Sequence, residues 1–189
     1  MRPDELPKTG LEISRIAVVG TTGSGKSTLA ERLARKLDIP FVELDALFWE
    51  PNWHAVSFEL FCERAEDALR ANAWTTAGNY SFAREIIWGR ADTLIWLDYP
   101  LRIVMTRLFK RTLHRLVTRQ ELWNGNRDSW RRQFLSRNSL FLYAYKTHER
   151  WRWTIPLALN YAEYEHLELI HFTHPKQADD WLAALPNAN

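Results

Sequence analysis

The sequence predicts an α/β fold: a parallel sheet of five strands with helices on both faces and a helical, arginine-rich lid. Three observations predict it. Short apolar runs alternate with amphipathic stretches along the chain, the order that builds a parallel sheet. The segment Gly20-Thr21-Thr22-Gly23-Ser24-Gly25-Lys26-Ser27 fits the spacing G-x-x-x-x-G-K-[ST] at a junction of one such run with one such stretch. Gly20, Asp45, Gly78 and Asp98 all fall where strands should end, the edge at which open α/β sheets take their ligands.

Each element follows in order. Ile16 to Val19 form an apolar run suited to a strand buried on both faces. Leu29, Ala30, Leu33, Ala34 and Leu37 then recur at helical spacing. Pro40 breaks the chain, and FVELD reads as a second strand ending at Asp45. Leu60, Phe61, Ala65, Ala68 and Leu69 make the next helical stripe. AWTTAG reads as the third strand and TLIWLD as the fourth, ending at Asp98 before Pro100. A long helix is expected from about Leu101 to Thr118, then the turn-rich RQELWNGNRDSW. More helix follows through Tyr145 and beyond Trp151, then a strand at HLELIHF and a closing helix at QADDWLAAL. Residues 1–14 read as an N-terminal tail and 15–189 as a single domain, with the lid at about 107–150.

Composition narrows the partners. With 189 residues the chain can bury a substantial core, and a net charge of +2 demands no polyanion. The one cysteine, Cys62, excludes an internal disulfide and suits a reducing cytoplasm. No apolar run approaches a membrane span, so no membrane partner is expected. The oligomeric state is not legible.

The glycine-rich junction carries the strongest chemistry. Its glycines let successive backbone N–H groups face phosphate oxygens, and the helix that follows adds a partial positive charge. Gly20, Thr21, Thr22, Gly23, Ser24, Gly25, Lys26, Ser27 and Thr28 are therefore the expected nucleotide-binding residues. Lys26 would reach the β- and γ-phosphates of ATP, and the Ser27 hydroxyl would ligate Mg²⁺.

That loop, followed by ELDALFWEPNW, WTTAGNYS, RADTLIWLDYP and an Arg-rich helix, resembles the small kinase-like P-loop NTPases labelled DNA topology modulation proteins or adenylate-kinase-like ATPases. More distantly it resembles the nucleoside monophosphate kinase and shikimate kinase group. The resemblance runs from about Arg15 to Leu185. It implies ATP with Mg²⁺, an acceptor pocket after the second strand and an arginine-bearing lid. It also implies that Glu43 and Asp45 divide metal and acceptor binding, and on one strand both would project from the same face. In related sequences the third strand ends Asp-Gly-Asn-Tyr, whereas here the first position is Ala77, which shifts the metal role toward Glu43 or Asp45. Asp98 stays open between a metal role and a turn residue.

Phe48, Trp49, Trp53, Asn79 and Tyr80 are expected beside Asp45 around a small acceptor. Arg107, Arg111 and Arg115 line one side of the long helix, where permanent bidentate cations suit a phosphoryl group in transfer. A catalytic role is expected for Arg107 and Arg111 alongside Lys26 and Asp45, against the bland reading of a solvated basic face. Arg127, Arg131, Arg132 and Arg137 stay open between the two. Trp74, Trp96 and Trp181 read as core; Trp123, Trp130, Trp151 and Trp153 read as lid packing or a nucleic-acid platform. The histidines show no metal-ligand spacing, and His54 falls near the acceptor loop.

Two functions follow. One is an ATP- and Mg²⁺-dependent phosphotransferase acting on a small molecule such as a nucleoside or nucleotide. The other is a nucleotide-dependent regulatory or nucleic-acid-associated ATPase with little transfer, which the near-neutral charge disfavours.

Overall fold

The computed structural model describes residues 13–130, 133 and 139–186. The expected tail, apart from residues 13 and 14, and Arg131, Arg132 and Arg137 lie outside the described residues.

The chain runs β1 (Arg15–Gly20), α1 (Lys26–Leu37), β2 (Phe41–Glu43), α2 (Leu44–Phe48), β3 (Trp49–Glu50), β4 (His54–Ala55) and α3 (Phe58–Ala68). It continues through β5 (Trp74–Ala77), α4 (Arg84–Trp88), β6 (Thr93–Leu97), α5 (Leu101–Thr118), α6 (Leu140–Leu159), β7 (Glu168–Phe172) and α7 (Pro175–Ala184). Five strands form one parallel sheet in the order β2-β5-β1-β6-β7, and β3 pairs with β4 in a small antiparallel hairpin.

Period two divides the core. Ala17 and Val19 of β1, with Leu94 and Trp96 of β6, face a cluster completed by α3, α4 and α6 through Phe61, Ile87, Trp88, Trp151 and Ile155. Ile16 and Val18, with Ile95 and Leu97, face the other cluster, where α1, α5 and α7 bring Leu29, Leu33, Val104 and Trp181. Such double burial needs near-continuous apolar strands, and β5 admits two threonines only because their hydroxyls are satisfied. Thr75 donates to the Ala30 carbonyl at 2.9 Å and Thr76 to the Val42 carbonyl at 2.7 Å.

One sequence expectation is corrected. The second strand stops at Glu43, and Asp45 lies in the first turn of α2 rather than on the strand. Leu44, Ala46 and Leu47 are good helix formers, and Val42 is the stretch's only β-branched residue. Glu43 and Asp45 therefore do not share a strand face. Trp151, read as lid packing or part of a nucleic-acid platform, is buried in the core.

Candidate active site

The loop between β1 and α1 turns on glycines in the left-handed region, Gly23 at φ 88° and Gly25 at φ 101°. Among the described residues no side chain caps α1, which leaves its first N–H groups to a ligand or solvent. A Cβ on Gly23 would lie 2.9 Å from the Leu108 Cβ and 3.0 Å from the Val104 carbonyl oxygen. The loop thus rests directly on α5. Arg107 of that helix donates to the Ser24 carbonyl at 2.9 Å. Asn79, just past β5, braces the loop's start, accepting from the Gly20 N–H at 3.1 Å and donating to the Gly20 carbonyl at 2.7 Å. Thr21 is held from α6 by His148, a buried histidine whose Nδ1 lies 3.1 Å from the Thr21 hydroxyl. Sequence spacing gave no signal for that contact.

Lys26 donates to the Thr21 carbonyl at 3.2 Å. Burial pulls its ammonium down to about 8, opposed by the Asp45 and Glu43 charges and reinforced by Arg111. Glu43 is perturbed the opposite way. Burial and the neighbouring Asp45 charge push its carboxyl up to about 7, held back by hydrogen bonds from Ser27 and the Asp45 backbone and by Lys26. Its Oε1 is buried without a hydrogen-bond partner among the described residues. Glu43 stands in register with Ala77, so the acid missing at position 77 has a carboxylate on the next strand.

The Tyr80 hydroxyl donates to the Asp45 Oδ1 at 2.5 Å. That hydroxyl is held strongly protonated by burial and by the Asp45 charge. Phe48 packs 5.2 Å from Tyr80 and 4.8 Å from Trp49, and Trp49 lies 5.7 Å from Trp53. The predicted aromatics therefore form one wall leading away from Asp45, with Trp53 at its far end against Trp123 at 6.2 Å. His54 is exposed on β4.

Arg111 and Arg115 follow Arg107 along α5, and both feel the Asp45 and Glu43 charges. Burial lowers the Arg111 guanidinium to about 10, and its Nε is buried with no hydrogen-bond partner among the described residues. Arg115 faces the nearly inaccessible Asp128 carboxylate at 3.9 Å. Thr22, Gly25, Ser27 and Thr28 complete the loop and first turn, with Thr28 exposed. Asp98 directly follows Leu97, the residue in register with Gly20, and it accepts from Arg152 Nε at 2.6 Å and faces His171 Nε2 at 3.4 Å.

Among the described residues no three or more His, Cys, Asp or Glu side chains gather as a metal cluster. A magnesium ion keeping waters and phosphate oxygens needs only one or two protein ligands. The Ser27 hydroxyl and the unpartnered Glu43 oxygen fit that requirement.

A family model described as "SKI: Shikimate kinase" matches residues 22–150. The shikimate kinase of Bacteroides fragilis is 46% identical over 110 residues, covering 50% of this chain and 61% of that protein. The shikimate kinase of Gloeobacter violaceus is 32% identical over 126 residues, covering 58% of this chain and 68% of that protein. The chain thus spans about 61% of the length of the Bacteroides fragilis relative that it matches. The crystal structure of shikimate kinase from Bacteroides thetaiotaomicron has the same fold, with a TM-score of 0.53 at 16% identity, covering 90% of this chain and 94% of that one. The shikimate kinase from Acinetobacter baumannii in complex with shikimate gives 0.52 at 16% identity, covering 91% and 90%. With its family model matched over 22–150, well over half of the sequence, the chain belongs to the shikimate kinase family.

Proposed function

We propose that this protein is a cytoplasmic enzyme that transfers the γ-phosphoryl group of ATP to a hydroxyl of a small acceptor. The loop from Gly20 to Thr28 holds the triphosphate, and Lys26 with Arg107 and Arg111 offsets the charge that spreads over the transferring group. Ser27 and Glu43 would hold Mg²⁺, which would supply neutralisation of phosphate charge. Asp45 orients the acceptor hydroxyl and takes its proton, with Tyr80 fixing the carboxylate's other bond. Phe48, Trp49, Trp53 and Asn79 contribute the surrounding wall and brace.

The opposed perturbation of Lys26 and Glu43 supports this reading most. Each is a charged group that burial disfavours in the protein alone, and each finds its counter-ion in magnesium and triphosphate together. Shikimate is the first acceptor to test, because the relatives at 46% and 32% identity carry that name. Nucleosides, nucleoside monophosphates and sugars follow.

Exposed Tyr145 and Trp153 beside Lys146 and Arg150 on α6 favour the second reading, a nucleic-acid-associated ATPase. Incubation with Mg-ATP and each acceptor, or with single-stranded DNA or RNA, separates the two. A phosphorylated small molecule, lost by about a hundredfold or more in Lys26→Ala, is expected. ADP formed only with nucleic acid would overturn the transfer reading.

A further inference from the structure

The tip of the β3–β4 hairpin is strained. Asn52 at φ 62° and Trp53 at φ 59° are consecutive non-glycine residues in the left-handed region. Such a pair persists only when its surroundings over-determine it. The surroundings here come from the turn after α5, 73 residues further on. Asn126 of that turn is buried, and its amide is fully engaged. Its Oδ1 accepts from the Trp53 N–H at 2.7 Å, while its Nδ2 donates to the Glu50 carbonyl at 2.9 Å and the Trp123 carbonyl at 2.8 Å. Trp53 returns a bond from its indole Nε1 to the Arg127 carbonyl at 3.1 Å. Asn124 adds a donation to the Trp49 carbonyl at 2.6 Å.

We propose that Asn126 is a positioning residue that locks the hairpin to this turn before any substrate arrives. The lock has two ends. Trp49, at the hairpin's start, directly follows α2 and so is tied to Asp45. Asp128, two residues past Asn126, faces Arg115 on α5 and lies within the electrostatic reach of Arg111. Asn126 thereby couples the spacing between the acceptor-side carboxylate and the arginines to the hairpin. Only an amide serves here, since the three partners need one acceptor and two donors at a single buried point. The catalytic consequence rests on the phosphotransferase reading; the lock itself does not.

Hydrogen exchange on the full chain without nucleotide tests the lock. Asn126→Ala should speed exchange in residues 49–55 and 122–128 together by about tenfold or more, as loss of buried hydrogen bonds does, with β1 and β6 unchanged. Where Asn126→Ala fails to fold, Asn126→Asp, which keeps the acceptor oxygen and removes both Nδ2 donations, carries the same measurement. Hairpin exchange that stays at the wild-type rate would overturn the proposal. Kinetics tests the positioning: the acceptor KM should rise about tenfold in Asn126→Ala while the ATP KM stays within about twofold. Equal changes in both KM values would reduce Asn126 to a purely structural role and overturn it. A wild-type protein that phosphorylates no acceptor would sink the transferase reading alone, because the exchange result still decides the lock.

Discussion

Glu43 and Ala77 stand side by side on neighbouring strands, and this pair settles where acid is tolerated. A carboxyl whose ordinary value lies near 4.5 is pushed up to about 7, chiefly by burial. Between those values the folded chain holds a proton that the unfolded chain has lost, so stability falls as pH rises from about 4.5 to about 7. Glu43→Gln removes that loss. Without Mg²⁺ or nucleotide its melting temperature should match wild type near pH 5 and exceed it by several degrees near pH 8, for about 2 kcal/mol. A variant less stable than wild type at pH 8 would mean that the ionised Glu43 is stabilised by its surroundings. The same arithmetic governs Ala77→Asp. A third carboxylate beside Glu43 and Asp45 crowds like charge into a buried space, so activity should drop rather than Mg²⁺ use improve. Titrating Mg²⁺ against activity separates the cases, and a lower half-maximal Mg²⁺ concentration in Ala77→Asp would show a weak metal shell instead.

Helix α5 joins the loop to the arginines, and its bounds were legible in the sequence because an 18-residue amphipathic run between Pro100 and a polar turn admits little else. The arginine spacing was legible for the same reason, since residues four apart share a face. Shorter elements were not. The hairpin's strands are two residues each, too short for any period, and its tip reaches left-handed φ without glycine. The five residues of α4 complete little more than one turn. Asp45 was misplaced because FVELDALF holds contiguous apolar residues that strand and helix templates both accept. Asn126 carried no signal, its role resting on contacts far along the chain. The seat of α5 on the loop makes a sharp prediction. Gly23→Ala combines a positive φ with a Cβ 2.9 Å from Leu108 and 3.0 Å from Val104 backbone, neither of which yields cheaply. Urea denaturation should find it destabilised by about 2–4 kcal/mol, with ATP binding weakened as well. Wild-type stability in this variant would mean that the loop and helix are not in contact.

Across the molecule, the sheet's far edge is tied to the phosphate-binding loop through α6. His148 holds Thr21, and one turn later Arg152 reaches Asp98 at the end of β6. His171 of β7 faces the same carboxylate and stacks on Trp96 at 4.2 Å. One Asp98 oxygen therefore accepts from the Arg152 guanidinium and the other faces the His171 ring, contacts that tie α6 and β7 to the end of β6 and support a structural role over the metal role left open by sequence. Burial by itself would raise the Asp98 carboxyl, but the hydrogen bonds from His171 and Arg152 outweigh it and hold it below the usual range. A lowered value places its stabilisation above the ordinary carboxylate range, with loss as pH falls through the folded value. Asp98→Ala should cost about 1 kcal/mol near pH 7, the scale of a partly exposed ion pair, and lower the melting temperature by about 2–4 °C. That deficit should shrink in strong acid, where wild-type Asp98 is itself protonated, and the half-maximal Mg²⁺ concentration should not move. A raised Mg²⁺ requirement with an unchanged melting temperature would return Asp98 to the metal site and leave Arg152 without a structural task.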